Sequence, residues 1–390
     1  MAISFKDCST ILQQALLYAT GQEVEAPLNT SQFVSLATTA LDTGVDPIMQ
    51  ALSTMLSRTI FSVRPYNARF TKMRRDSAEW GNHIRKITIL DDAPESDERG
   101  MVTQPTVGDD LTPYKWQPAN VLQTNFYGGQ VYQRSKMFTR DQINNAFTGP
   151  EEFGSFVEAI MQNARDMREQ DFETMARMCL ANYIGGKVTG STADVIHLLT
   201  EYNALTGQSL TATSVFAPDN FASFIQFMYA RIADVSNKLT ERNINYHTNF
   251  TDKLIMRHTP KDRQVCYFLS EYYEKIKAMV LAGTYNENLL DLNISEMVNY
   301  WQSIDDPDAI NVTPSYSAAD GSIATASQAV TTSNIVAVLV DYETLGLTSQ
   351  SEWSGVTPMD VRHGITNMYW HYTLRYWNDF TENGAIFLLD

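Results

Sequence analysis

The chain lacks most of the features that give a sequence away quickly. Its 390 residues hold three cysteines, Cys8, Cys179 and Cys266, far apart and with no CxxC pair. That speaks against a disulfide framework or a thiolate zinc site and fits a reducing cytosol, where such cysteines are plain core residues. No apolar run reaches the roughly 18 residues of a membrane-spanning helix. The opening MAISFKDCST has neither a basic n-region nor an apolar h-region, so no secretory signal is expected.

Positive charge is scarce: 29 Lys and Arg stand against 45 Asp and Glu, a net charge of −16. A surface built throughout to grip nucleic acid is basic, and an anionic membrane repels an acidic protein. Contact with DNA is therefore expected to be local, and no membrane partner is expected. Catalytic signatures are missing as well. HExxH, Walker A, GxSxG and a GxGxxG after a strand do not occur. The run Gly185-Gly186-Lys187-Val188-Thr189-Gly190 has the wrong spacing for a phosphate loop and reads as a helix stop and turn. No two of the six histidines lie at i, i+4. The acid pairs Asp91-Asp92, Asp109-Asp110 and Asp305-Asp306 are neighbours in loops, not groups held across a cleft. The residues thus offer no catalytic, cofactor or metal site, and the chain reads as a non-enzyme.

What is present is material for two or three lobes: 44% hydrophobic residues, with 19 Tyr, 18 Phe and 6 Trp suited to cores and to interfaces. Helices are expected within 1–28 and 30–62, the latter broken at Thr43-Gly44. From Pro47 to Arg75 the chain carries Arg58, Arg64, Arg69, Lys72, Arg74 and Arg75 and no acid. Such a stretch is either a solvated basic face or an arm for an acidic neighbour or an anionic interior.

The alternation in 83-HIRKITILD marks a strand, and a second runs over about 121–138, with Gly128-Gly129 permitting a bend or bulge. Between them lies a polar segment with Asp91, Asp92, Glu95, Asp97 and Glu98. Together these read as a long two-stranded flap with an acidic tip. A lone ribbon is marginal in water, so it needs something to lie on. Thr139 and Gln142 form a capping box for a short helix.

Gly149-Pro150-Glu151-Glu152 then opens a helix of about 34 residues, about 50 Å long, with apolar residues from Phe153 to Cys179 at helical spacing. Beyond Gly190 the pattern becomes α/β. A helix runs from Ala217-Pro218-Asp219 to about Arg242, a strand over 264–270, and a helix from Ser270 to Gly283. An exposed loop covers 303–334, and 334-NIVAVLV is a buried strand. The end is strongly β: Met368, Trp370, Tyr372, Leu374 and Tyr376 alternate with Tyr369, His371, Thr373 and Arg375. Asn383-Gly384 is a turn before the apolar strand AIFLL.

This order of elements resembles the Hong Kong 97 fold of tailed-bacteriophage major capsid proteins. The resemblance rests on three places: the flap from 83-HIRKITILD to 121-VLQTNFYGGQVY, the strut helix after 151-EEFGSF, and the close 370-WHYTLRYWNDFTENGAIFLLD. It implies an α+β capsid fold. Residues 1–75 would be N-terminal helices and arm, 76–138 the extended loop, and 139–190 a peripheral domain with spine helix. Residues 191–344 would be an axial α/β domain, and 345–390 would return to the peripheral domain. It implies self-assembly, as hexamers and pentamers, into an icosahedral shell around the double-stranded DNA genome, in a virion assembled in the host cytoplasm. Packaged DNA would touch the inner face without sequence preference. No long fused scaffolding segment precedes the arm, which implies a separate scaffolding protein or none; a portal and a decoration protein are further partners. The acidic tip would lie on the basic arm of a neighbouring subunit. Three other readings remain open on sequence alone: an encapsulin-type shell around protein cargo, another virion component such as a tail protein, and an enzyme with a dispersed site in the α/β lobe.

Overall fold

A computed structural model describes residues 68–75, 84–90, 120–139, 150–190, 193–251, 255–283 and 295–390, with a few positions between 12 and 36. Its strands are β1 (Ile84–Ile89), β2 (Val121–Phe126), β3 (Gly129–Thr139), β4 (Val195–His197), β5 (Gln264–Leu269), β6 (Glu296–Val298) and β7 (Ile310–Val312). They continue with β8 (Ser315–Ser317), β9 (Ile323–Thr325), β10 (Val330–Thr332), β11 (Ile335–Asp341), β12 (Leu345–Val356), β13 (Ile365–Asn378) and β14 (Gly384–Leu388). The helices are α1 (Pro150–Gly190), α2 (Leu198–Thr206), α3 (Pro218–Lys238) and α4 (Ser270–Gly283).

The chain divides into two compact units. The first takes Met1–Gly81, Gly128–Arg177 and Gly346–Tyr376; the second takes Asn82–Tyr127, Met178–Leu345 and Trp377–Asp390. The expected second flap strand is two strands in two sheets: β2 pairs with β1, whereas β3 pairs with β13. Gly128 and Gly129 hand the chain over at a crossing too tight for a side chain. A Cβ on Gly128 would stand 2.6 Å from the Tyr376 carbonyl oxygen.

In the first unit, β12, β13 and β3 form a three-stranded sheet. The expected alternation holds along β13, where Thr366, Met368, Trp370, Tyr372 and Leu374 are buried. Asp171 on α1 accepts hydrogen bonds from Arg134 of β3 and from the Tyr372 hydroxyl of β13. Arg168 meets Glu352 of β12. Polar contacts thus pin the helix to the buried face of the sheet.

The second unit is built on a five-stranded sheet in the order β4-β14-β11-β5-β6, with parallel outer pairs and antiparallel inner ones. All residues of β5, β11 and β14 are buried, which is why they read as unbroken apolar runs. Helix α2 packs on β14 and α4 on β5, and α3 packs against both helices. On α3, Phe224, Ile225, Met228 and Ile232 turn inward, with Leu239 buried just beyond its end. The region 303–334 is more ordered than a loop: β7 pairs with β10, and β8 with β9.

Helix α1 overruns its expected stop. It continues through Gly185-Gly186 to Gly190 and has 41 residues, about 60 Å at the standard rise. The glycines serve close packing: a Cβ on Gly185 would lie 2.8 Å from Val312, and one on Gly186 2.7 Å from the Phe380 ring. Around them Leu180, Ala181, Tyr183 and Ile184 are buried, so this stretch of the helix is covered on most sides. Lys187, also buried, is paired with Asp194, and burial pushes its ammonium below the usual lysine value against the pull of that carboxylate.

Gly186→Ala tests this packing. Helix propensity alone favours alanine by about 1 kcal/mol, yet the clash with Phe380 is expected to leave the protein about 1–3 kcal/mol less stable. A lowered thermal midpoint is the expected result; an unchanged or raised one would show that the helix does not need a glycine there.

Candidate functional site

The described part of the basic arm is fastened to its own chain. Ala68, Phe70 and Met73 are buried around a 3-10 turn over Thr71–Met73. Arg74 forms a parallel bridge with Leu347, and the Arg75 N–H donates to the Leu347 carbonyl at 2.8 Å. The Arg74 guanidinium pairs with Glu169 at 2.7 Å and lies 4.2 Å from the Phe172 ring centroid. The Arg75 side chain donates to the Lys72 carbonyl at 2.6 Å. The Arg69 N–H faces Glu173 at 3.5 Å. Arg74 is therefore engaged within its own subunit. Arg58 and Arg64 lie outside the described residues, as do Asp91, Asp92, Glu95, Asp97, Glu98 and the capping box at Thr139 and Gln142 (of which only Thr139 is described, ending β3).

The flap ribbon is described from Ile84↔Phe126 to Ile89↔Val121. Successive side chains on a strand point to opposite faces, and here the distribution is unusual. The outward face carries Arg85, Ile87 and Ile89 opposite Asn125, Gln123 and Val121. Ile87 is 55%, Ile89 71% and Val121 44% exposed. Ile84, Lys86 and Thr88 point inward, opposite Phe126, Thr124 and Leu122. On a solvated ribbon the isoleucines would be covered and the lysine free.

Lys86 reaches a cluster of acids at the turn after β13. Its ammonium donates to Asp379 at 2.8 Å and to Glu382, with Glu343 at 3.4 Å. Arg257 holds Glu382 from another side at 3.2 Å and donates to the Thr381 carbonyl at 3.1 Å and to the Thr88 hydroxyl at 3.4 Å. Arg263 pairs with Glu343 at 2.6 Å and lies 3.6 Å from Asp341. These charges border a polar cavity of about 280 Å³ whose wall includes Thr88, Ile89 and Leu90.

Burial opposes ionisation of all three members of the anchor, with different outcomes. It disfavours the Lys86 ammonium, but Asp379 and Glu382 outweigh it and raise the lysine. It also disfavours the Asp379 carboxylate, yet Lys86 and the donors of Thr381 hold that group below the usual carboxylate range. For Glu382 burial wins over Lys86 and Arg257, and its carboxyl is raised.

Sequence reading missed this cluster. The strand over 83–91 and the Asn383-Gly384 turn were both legible. Nothing local signals that Lys86 meets residues almost 300 positions away. Two cysteines and one histidine elsewhere are occupied in packing. Cys179 and Cys266 are buried, and burial pushes the Cys266 thiol up to about 12. His247 is buried, facing the Ile255 carbonyl at 2.7 Å and Asn383 at 3.1 Å. Among the described residues no group of three His, Cys, Asp or Glu side chains could hold a metal, and no helix is long and apolar enough to cross a membrane.

The chain combines a mixed α+β fold with a long helix and a two-stranded ribbon whose outward face is partly apolar. Solved phage structures share the fold. A chain from the capsid structure of Staphylococcus phage Andhra superposes with a TM-score of 0.55 at 9% identity, over 84% of this chain and 86% of that one. A chain from the structure of head fiber and inner core protein gp22 of native bacteriophage P68 gives 0.54 at 10% identity, over 84% and 87%. Among curated proteins no sequence matches. A sequence model of the Phi29-like phage major capsid protein family matches residues 13–387, and the chain belongs to that family. It is a major capsid protein of the head shell of a tailed phage, a structural component of the virion. The family decides against a protein-cargo shell and against a tail component.

The neighbouring carboxylates of the anchor carry opposite signs in stability. Asp379, depressed when folded, contributes stability above the unfolded carboxylate value of about 3.9 and loses it as pH falls through the folded value. Glu382, raised when folded, opposes folding once ionised and is relieved on protonation. In urea unfolding at neutral pH, Asp379→Asn is expected to destabilise by about 3 kcal/mol, as for breaking a buried pair. Glu382→Gln is expected to stay within about 1 kcal/mol. Equal losses would contradict the assignment.

Proposed function

We propose that the chain closes an icosahedral head from hexamers and pentamers of itself, with the β1–β2 ribbon of each subunit lying on a neighbour. The observation that carries this reading is the outward face of the ribbon. Ile87, Ile89 and Val121 are exposed, and large apolar side chains are left open where a partner covers them. The acidic segment after Leu90 would then set register against the basic arm of that neighbour, around Arg58, Arg64, Arg69, Lys72 and Arg75. Arg74 belongs to the same arm and also pairs with Glu169 of its own chain, with 36% of its side chain exposed. Exposed ion pairs contribute only ~0–1 kcal/mol each, so they select the partner while apolar burial holds it.

The remaining roles follow the same plan. The α/β region around the five-stranded sheet would group about the capsomer axes, and the three-stranded sheet with the start of α1 would form the periphery. A scaffolding protein, a portal and a decoration protein are the further partners of this reading. Packaged DNA would be touched through phosphates alone, which need no base-reading motif. No catalytic step is part of it.

Negative-stain electron microscopy of the purified chain, expressed with and without its neighbouring genes, tests the proposal. Closed particles or capsomer rings are expected, and a persistent monomer in both cases would overturn it. Charge reversal tests the register. Arg64→Glu is expected to impair assembly and Asp92→Lys in the same chain to restore part of it; wild-type assembly by Arg64→Glu alone would remove the arm from the contact.

A further inference from the structure

The ribbon's inverted pleat calls for a physical cause. A two-stranded ribbon is marginal by itself. A shift by one residue would exchange its faces, turning Ile87 and Ile89 inward and Lys86 outward. Apolar burial alone does not choose between the two poses, since Ile84, Leu122 and Phe126 would turn outward as Ile87, Ile89 and Val121 turned inward. Charge adds to the choice. Asp379 is buried, with 1% of its side chain exposed, and Glu382 has 9% exposed. An unpaired carboxylate at such depth is costly. In the observed pose it is the Lys86 ammonium that meets it, whereas the exchanged pose would offer Arg85 from the neighbouring position.

We propose that Lys86 is a positioning residue for shell assembly: by latching onto Asp379 and Glu382 it fixes the pose of the β1–β2 ribbon and presents Ile87, Ile89 and Val121 to a second copy of the chain. The assembly half of this statement rests on the function proposed above; the latch itself does not. Several details support the latch. Lys86 stands opposite Thr124 in the register, and only 21% of its side chain is exposed while the ammonium reaches the acids. Asp379 is rigidly held, because its Oδ1 accepts from the Thr381 N–H at 2.9 Å and the Thr381 hydroxyl at 2.6 Å. Arg257 touches both Glu382 and Thr88, tying the same acid cluster to the ribbon one step further along β1. At the ribbon's other end Phe126 lies 6.5 Å from Trp377, between ring centroids. The ribbon is thus held by charge in the middle and an aromatic contact at its base.

The test uses the full chain. Lys86→Met with Asp379→Asn removes both charges together, so neither is left buried and alone. Hydrogen exchange should then be roughly tenfold faster or more in residues 84–89 and 121–126, with protection in β11 and β14 unchanged. Lys86→Arg should keep wild-type protection, a rescue that mere space filling would not give. Wild-type exchange in the ribbon of the double variant would overturn the latch. A check independent of refolding is amine acetylation of the unmodified protein. Lys86 should react roughly tenfold more slowly than the exposed Lys277, since a latched ammonium is withheld from reagent; equal rates would also overturn it. Ile87→Ser with Ile89→Ser separates the two halves. Wild-type ribbon protection with lost assembly is the expected result. Wild-type assembly would sink the apolar contact with a second copy and leave the latch standing.

Discussion

The turn between β13 and β14 is the point on which the second unit depends. Almost every polar group in residues 379–383 is spoken for. The Asp379 N–H donates to the Thr344 carbonyl, and the Asp341 N–H to that of Asn383. The Thr248 N–H donates to the Phe380 carbonyl. The Asn383 side chain meets His247 and Thr259. One short turn therefore ties the end of β11, the segment around 247–259 and the ribbon to the central sheet. Buried polar networks of this kind specify one arrangement when all members are satisfied and cost heavily when one is lost. The Lys86 latch is the outermost member of that network.

Steric contact does similar work inside α1. Two adjacent glycines in a helix are weak in isolation, and sequence reading took them for an end. Their neighbours in space, Val312 and Phe380, come from distant parts of the chain, so the reason to continue the helix is tertiary. The same holds for Gly128-Gly129. A bend there was legible, but the consequence, a change of sheet, depends on β13 being available to pair with β3. Elements defined by their own periodicity or composition came through best. The runs at 264–270 and 335–340, the alternation along β13 and the helix from Ser270 all follow from what one strand or helix does with its own residues. The small ladders β7–β10 and β8–β9 carry no such signal because strands of three residues are too short to show a period.

The candidate site was less legible than the fold for a related reason. A run of basic residues is visible in sequence, but whether each is free is not. Arg74 is spent on Glu169 and Phe172 within the chain. Lys86, which looks like one polar residue in an alternating strand, turns out to join the flap to the core. Alternation tells which residues share a face. It does not tell which face is covered, and in β1 the covered face is the more polar one.

That inversion is consistent with how a strongly acidic chain can assemble with itself. Identical subunits of net charge −16 repel wherever their average surfaces meet. Contact is favoured where carboxylates are absent or meet basic residues. The outward face of the ribbon is such a place: Arg85, Ile87, Ile89, Val121, Gln123 and Asn125 include no acid. Fully burying an isoleucine or valine contributes about 1.5–3 kcal/mol, and these three are already partly covered, so one ribbon gains only a few kcal/mol. For a shell that weakness is useful. A subunit seated wrongly can leave, while in a closed particle every subunit is held by several such contacts at once and their effects multiply. A ribbon that buried its isoleucines against its own chain would be more stable alone and would have less to offer its neighbours.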